Sequence, residues 1–401
     1  MKKVPLYLID TVVLKIEKRL CHFFYTLFFL FFGIACTSAP VSNDSMTLVA
    51  GDSLTLSIDN STYYESTSMF QFEENSNEYL SFLDTEYSQK IHIYDINGGK
   101  LVKTVVLQKE GKDGMTALSG CHPLSLNHFI VTSWNGLFGL VNGKGEIEKR
   151  FNFWSGGTNF NAFDHISFAS YIYKPAIIKD SILYFSQSLL KHPRKKNDWD
   201  KIPVFSTANL SNGTFKWSQL CYPLAFDKDE EAFMVCDPEI SYSYTGKEVV
   251  FSLGQYDSIF VSSDFKHKKA YSAKSRYLAQ AHPYVQDAQV DLFKTIQILG
   301  RQPHYLHLMY DKYRDVFYRF ALMPDDDIKP FSSNPQRKFS VIILDSQYKI
   351  VGEVLFPGNT YASHLCFVGK KGLYISENNE NNPKFNENIL TFKCFNLSSK
   401  K

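Results

Sequence analysis

The chain has 401 residues, with 43 Lys and Arg against 41 Asp and Glu, a formal charge of +2 at neutral pH. A balance this even implies no strongly basic face, so nucleic acid is excluded as an expected partner. The 34 Phe and 24 Tyr suit pleated, half-buried surfaces, and they argue for a β core ahead of sugar-stacking platforms.

The first segment reads as an address. Lys2, Lys3, Lys15, Lys18 and Arg19 precede an apolar block, Phe23 to Ile34, broken only by Thr26 and Gly33. A spanning helix needs roughly 20 apolar residues, which this block lacks. A basic flank, a short apolar core and small residues at its end describe a secretory signal, with the basic flank left on the cytoplasmic side. Gly33-Ile34-Ala35-Cys36 resembles a bacterial lipobox, which implies lipidation at Cys36. Ordinary cleavage after Thr37-Ser38-Ala39 is the alternative, and Pro40 disfavours it. The small, polar residues that follow read as a tether. The chain thus divides into a lipoprotein signal peptide (1–35), a flexible tether (36–50) and a β domain (51–401).

From residue 51 the pattern is strand, turn, strand. KIHIYDINGGKLVKTVVL (90–107) sets the theme, with Asn97-Gly98 between two β-rich runs, a strong hairpin signal. Residues 128–153 repeat it with Asn135-Gly136 and Asn142-Gly143. Residues 180–190 with 203–220 form a third group, turning at Asn212-Gly213. Further groups follow at 239–263, at 304–323 with 338–357, and at 363–378 with 388–397. Only Val285 to Leu299 shows helical periodicity. The groups recur near the propeller period of roughly 40–50 residues, and radial repetition leaves short, protected edges. The reading is an all-β, six-bladed β-propeller, with TLVAGDSLTLSID (47–59) completing the last blade. Seven blades, or two β-sandwich domains, are the alternatives.

A lipobox, hairpin blades such as IHIYDINGGKLVKTVVL and the hairpin YDKYRDVFYRF (310–320) together resemble an uncharacterised family of Bacteroidetes envelope lipoproteins with TolB-like six-bladed propellers. The resemblance implies a fold and an outer-membrane location, and it lends no catalytic residue. Surface export in such proteins reads acidic residues just after the cysteine. Thr37-Ser38-Ala39-Pro40 is neutral and Asp44 comes late, which favours the periplasmic face over the cell surface. Asp52-Ser53-Leu54, Asp180-Ser181-Ile182 and Asp257-Ser258-Ile259 match an O-glycosylation pattern of this bacterial group, and equally suit simple turn chemistry.

Candidate chemistry is sparse. His304 and His307 are three apart, so on a regular strand they point to opposite faces and cannot share a metal unless a bulge intervenes. Asp325-Asp326-Asp327 and DKDEE (227–231) are acidic loops without calcium-loop spacing. His122, His165 and His282 are isolated, and His122 and His282 precede prolines as loop residues do. Cys121, Cys221, Cys236, Cys366 and Cys394 form no CxxC pair and read mostly as buried thiols; Cys221 and Cys236 are near enough for a local bridge. Arg314 and Arg319 read in two ways. They could pair with Asp311 and Asp315 to fix their hairpin, or Arg319 could reach a central funnel and hold a carboxylate or phosphate in its planar fork. No nucleophile elbow, P-loop or dinucleotide fingerprint is present. The expectation is a non-enzymatic binding module without catalytic residues, metal or cofactor. Its partners are the membrane, through the lipid, and a protein or glycan. The alternative is a hydrolase or lyase acting on a glycan or peptide in the central funnel. Carboxylates or histidines lining that funnel would favour the enzyme, and an axis plugged by side chains would favour the binder.

Overall fold

Turn chemistry separates β-rich runs along the whole domain, and each set of runs builds a sheet of one design. The computed structural model describes residues 44–153, 165–189, 201–223, 240–278, 302–324 and 337–400. Among them the strands form six antiparallel sheets, the blades of a β-propeller. Strand β1 (Met46–Ser57) stands apart from its sequence neighbours. Blade 1 is β2 (Met69–Glu74), β3 (Asn77–Asp84), β4 (Lys90–Asp95) and β5 (Lys100–Val106). Blade 2 is β6 (Leu118–Ser125), β7 (His128–Ser133), β8 (Leu137–Asn142) and β9 (Ile147–Asn152). Blade 3 has a first strand in two pieces, β10 (His165–Phe168) and β11 (Ile177–Lys179), both paired with β12 (Ile182–Leu189), then β13 (Phe205–Asn209) and β14 (Phe215–Trp217). Blade 4 is β15 (Ser241–Tyr244), β16 (Val249–Ser252), β17 (Ser258–Ser262) and β18 (Lys269–Ser272). Blade 5 is β19 (His304–Asp311), β20 (Val316–Leu322), β21 (Phe339–Asp345) and β22 (Ile350–Phe356). Blade 6 is β23 (Ala362–Val368), β24 (Leu373–Ser376) and β25 (Ile389–Ser399), with β1 as its fourth strand.

The expected closure is therefore present. β1 runs antiparallel to β25 from Met46 opposite Ser399 to Ser57 opposite Ile389. It begins inside the stretch read as tether, because Met46–Ala50 finds a partner strand that lies far away in sequence. First strands pack on the first strands of neighbouring blades, β2 on β6, β15 on β19, β19 on β23 and β23 on β2.

Period-2 alternation now serves two interfaces rather than core and solvent. In β7, Phe129 and Val131 face blade 1 while Ile130 faces blade 3. In β20, Tyr318, Phe320 and Leu322 face blade 6, and Phe317 and Ala321 face blade 4. Middle strands are consequently buried on both faces, as β20 is throughout, whereas the outer strand β5 is mostly exposed.

The Asn-Gly turns fall where expected, but the left-handed residue is one glycine per turn. In 95–99, Asp95 accepts from the amides of Asn97 and Gly98, each at 3.1 Å, and Gly99 takes φ +61°. A Cβ there would sit 2.7 Å from the Thr55 carbonyl oxygen. The possible helix Val285–Leu299, both acidic loops, Cys36, Cys236 and His282 lie outside the described residues.

Candidate functional site

An antiparallel meander sorts its connections. Links from fourth to first strands and from second to third strands leave from one face, here the loop face. Turns between first and second, and third and fourth, strands leave from the other, the hairpin face. Because Met46 pairs with Ser399, β1 begins at the hairpin face.

The axis comes first, because propeller active sites gather there. Between β10 and β11 the chain leaves blade 3 and runs inward over Ala169–Ala176. Its turn is closed by the Lys174 amide donating to Tyr171 O at 2.9 Å. The Ile172 amide donates to Thr67 O of blade 1 at 2.8 Å, and Tyr173 O accepts from the Tyr242 amide of blade 4 at 2.9 Å. Blades 1 and 4 face each other across a six-membered ring, so this excursion spans the axis. Ser170 passes directly over Gly120 of β6, where a Cβ would lie 2.6 Å from both its N and its O. The Tyr173 ring stands 5.8 Å from His307 of blade 5. Ile172, Lys174 and Ala176 are buried. The axis is plugged by backbone and side chains.

Histidines line this plug. His122 is not a loop residue but part of β6. That strand is the inner edge of its sheet, where the missing N–H of Pro123 breaks no ladder bond. Its Nδ1 lies 3.5 Å from Ser170 Oγ and its ring 4.8 Å from Phe70. His307 packs between Tyr173 and Phe320, whose ring is 5.3 Å away, and its ring nitrogens are buried with no well-aligned hydrogen bond, only the nearby backbone of Ser363 and His364. Burial lowers both, His122 to about 4 and His307 to about 3; at His307 burial outweighs backbone groups of Ser363 and His364 that act the other way. A bulge does fall between Tyr305 and Leu308, yet His304 lies 3.0 Å from Gln302 O and 3.3 Å from Arg337, so the two histidines keep separate surroundings. Among the described residues no group of three metal-ligating side chains converges.

The two neutral histidines set a pH dependence. The folded state disfavours their charged form, so their stability is complete above an unfolded pKa of about 6.5. It declines as pH falls from there toward the folded values, at up to about 1.4 kcal/mol per pH unit for each histidine. Urea unfolding between pH 7 and 4.5 should show that slope. His307→Phe, which keeps a ring between Tyr173 and Phe320, should reduce it, with His122 and the buried His92, lowered by burial too, carrying the rest. A slope unchanged in the variant would show that other groups carry it.

Arg319 does not reach the axis. It sits on a second strand, and only first strands line the channel. Alternation places it with Phe317 and Ala321, facing blade 4. It is fully buried. Nε donates to Ser252 Oγ at 2.9 Å, Nη1 to Ala273 O at 2.8 Å, and Nη2 to Ser258 O at 3.4 Å and to Tyr256 O. The guanidinium carbon lies 3.4 Å from the centre of the Tyr305 ring, whose hydroxyl donates to Asp257 at 2.6 Å. Burial lowers its pKa to about 10, so it stays charged at neutral pH. The fork is occupied by the protein itself, and Arg319 is a staple between blades 4 and 5. Arg314 fixes its hairpin as the ion-pair reading expects: Nη1 meets Asp311 at 2.7 Å, and Nη2 donates to Lys370 O of blade 6 at 2.6 Å.

Among the described residues a pocket opens on the loop face between blades 1 and 6, of about 290 Å³, lined by Asn60, Thr62, Tyr63, Tyr64, Tyr87, Glu387 and Asn388. The rings of Tyr63 and Tyr87 are 5.9 Å apart and perpendicular at 85°, and those of Tyr63 and Tyr64 are 5.2 Å apart. Tyr63 donates to Glu65 at 3.0 Å and Tyr64 to Glu380 at 3.1 Å. Burial first, and these carboxylates second, raise both phenol pKa values. Sequence reasoning missed this site because its two halves, 60–87 and 380–388, are joined only by ring closure; the run Tyr63-Tyr64-Glu65 was the one visible signal. A wider crease of about 420 Å³ lies toward the hairpin face between β1 and the turn at Gly98. Asp52, Lys371, Tyr374 and Cys394 are its ionisable side chains.

Of the three Asp-Ser sites, Asp52-Ser53 lies within β1 beside its bulge and not in a turn, and the turn reading suits Asp180-Ser181. Asp180 and Ser181 both take left-handed φ, and Asp257 is engaged by Tyr305. Cys121, Cys366 and Cys394 are buried, and burial raises their thiol pKa values.

Comparison with known proteins extends the fold. A family model described as "Domain of unknown function (DUF4221)" matches residues 45–355. The crystal structure of a DUF4221 family member from Bacteroides vulgatus ATCC 8482 is 36% identical, with a TM-score of 0.82 over 89% of this chain and 100% of that one. BamB from Moraxella catarrhalis (10% identity, TM-score 0.30, 81% and 69% covered) and hydrazine synthase from Kuenenia stuttgartiensis (9%, 0.38, 79% and 74%) also align, at a similarity that bears on neither fold nor function. No curated protein matches.

Proposed function

Because the chain belongs to the family of the domain of unknown function DUF4221, its role rests on its own geometry, and we propose that it is an envelope-tethered binding module. In this reading a lipid on Cys36 holds it at the outer membrane, on the periplasmic side, and its loop face meets a protein or glycan partner. The single observation that carries the binding role is the plugged axis: among the described residues it holds no funnel in which a substrate meets converging groups. Topology supports the presentation. β1 starts at the hairpin face, the side opposite the loop face. Loops on a rigid scaffold are where binding residues concentrate.

Two measurements test the two halves. Mass spectrometry of the N-terminal peptide should find an acylated Cys36 in the membrane fraction, lost in Cys36→Ala; an unmodified, soluble N-terminus would sink the anchor. Site-specific photo-crosslinking in cells should give discrete adducts from Tyr87 and Trp134, which are 62% and 46% exposed on the loop face. It should give none from the exposed hairpin-face positions Lys144 and Gln347. Adducts confined to the hairpin face would overturn the reading.

A further inference from the structure

We propose that the loop-face pocket between blades 1 and 6 binds a ligand through a primary ammonium group. The inference deepens the binding reading above and rests on it.

The argument is one of proton bookkeeping. A hydroxyl has one proton to donate and lone pairs to accept with. In this pocket three of the four hydroxyl protons are already committed to a carboxylate outside the cavity: Tyr63 to Glu65, Tyr64 to Glu380, and Thr62 to Asp59 at 2.9 Å. What these groups turn toward a ligand is therefore lone pairs. Glu387 adds a carboxylate, and no Lys or Arg lines the cavity. Among the lining side chains only the amides of Asn60 and Asn388 and the exposed hydroxyl of Tyr87 can donate. A wall of acceptors calls for a ligand rich in donors, and an ammonium carries three donors and no acceptor. The walls agree with this. Three aromatic rings, Tyr63, Tyr64 and Tyr87, line the cavity, and aromatic rings attract a cation through their quadrupoles. The surrounding charge has the same sign preference. Glu65, Glu86 and Glu380 all act electrostatically on Tyr63. The basic groups nearby are engaged with carboxylates of their own: His364 lies 3.5 Å from Glu65, and Lys90 acts on Asp59. A neutral sugar would need matched donors and acceptors and would meet mostly acceptors here. A carboxylate or phosphate would be repelled.

The ammonium could come from a lysine side chain or from an amino sugar, and the test separates them. The purified domain is titrated calorimetrically with Nα-acetyl-lysine N-methylamide and its norleucine counterpart, and with glucosamine and N-acetylglucosamine. The charged member of one pair should bind and its uncharged mate should not; whichever pair responds identifies the source. Tyr87→Ala should weaken binding about five- to thirtyfold, the equivalent of a cation–π contact of 1–2 kcal/mol. Its exposure keeps that variant folded. Glu387→Gln should weaken binding in the same direction. Equal affinity for charged and uncharged mates, no binding of either charged ligand, or full affinity in Tyr87→Ala would each overturn the ammonium assignment. Crosslinks from Tyr87 that persist when the amines fail would leave the binding face standing; amine binding without any loop-face crosslink would remove the partner reading instead.

Discussion

A chain that begins at residue 58 should lose its cooperative unfolding transition, whereas one that begins at residue 44 should keep it. Residues 46–57 are the fourth strand of blade 6, paired with β25 over nearly their full length with one bulge between Ala50 and Ser53. Leu48, Leu54 and Leu56 from this strand are buried in a cluster that joins blades 5, 6 and 1. Deleting them strips the ring of its closing strand and exposes β25 as a new edge, a template for aggregation. The loss is larger than the strand's own contacts, because blade 1 then has no fixed partner on that side. Within the intact chain Leu56, which is fully buried, reports the same closure. Leu56→Ala should cost about 2–5 kcal/mol, the range for a large-to-small change in a core. Urea unfolding followed by tryptophan fluorescence checks both. If the chain starting at residue 58 unfolds with an unchanged midpoint and slope, blade 6 closes without β1.

The second large effect concerns Arg319. Arg319→Ala should destabilise the domain by about 3–5 kcal/mol, as breaking a buried charged network does. It removes the stack on Tyr305 and leaves the carbonyls of Ala273, Tyr256 and Ser258 without their donor; an orphaned buried acceptor costs about 1–3 kcal/mol. Arg319→Lys should recover only part of this, because a point ammonium cannot reach carbonyls on both sides of a planar fork. Neither variant should alter ligand binding at the Tyr87 pocket under conditions where it remains folded. A stable Arg319→Ala protein that has lost ligand binding would return Arg319 to the role of ligand holder.

The difference between the two roles of Arg319 was in part legible. Alternation in VFYRFAL pairs it with Phe317 and Ala321, so one face of the strand could be named from sequence. What that face looks at depends on β20 being a second strand buried between two blades, which is a property of the ring. The histidines behave in the opposite way. The His-Pro pair at 122–123 argued for a loop, because proline disrupts ladders. It sits in a strand because that strand is an inner edge, and only the folded sheet has edges.

The sequence by itself determined the class and the closure. Asn-Gly and Asp-rich turns between β-rich runs, recurring at the period of a blade, specify hairpins locally, since those residues accept the backbone conformations that tight turns need. The spare strand near the start was legible as the piece that completes the last blade, and it pairs with β25. The tertiary structure alone decided what the axis contains and where a ligand can lie. The plug is one short excursion of blade 3, held by hydrogen bonds to blades 1 and 4, and the aromatic pocket joins residues 60–87 to residues 380–388. Contacts between segments so far apart leave no periodic mark on either. They arise only when closure of the ring brings its two ends together.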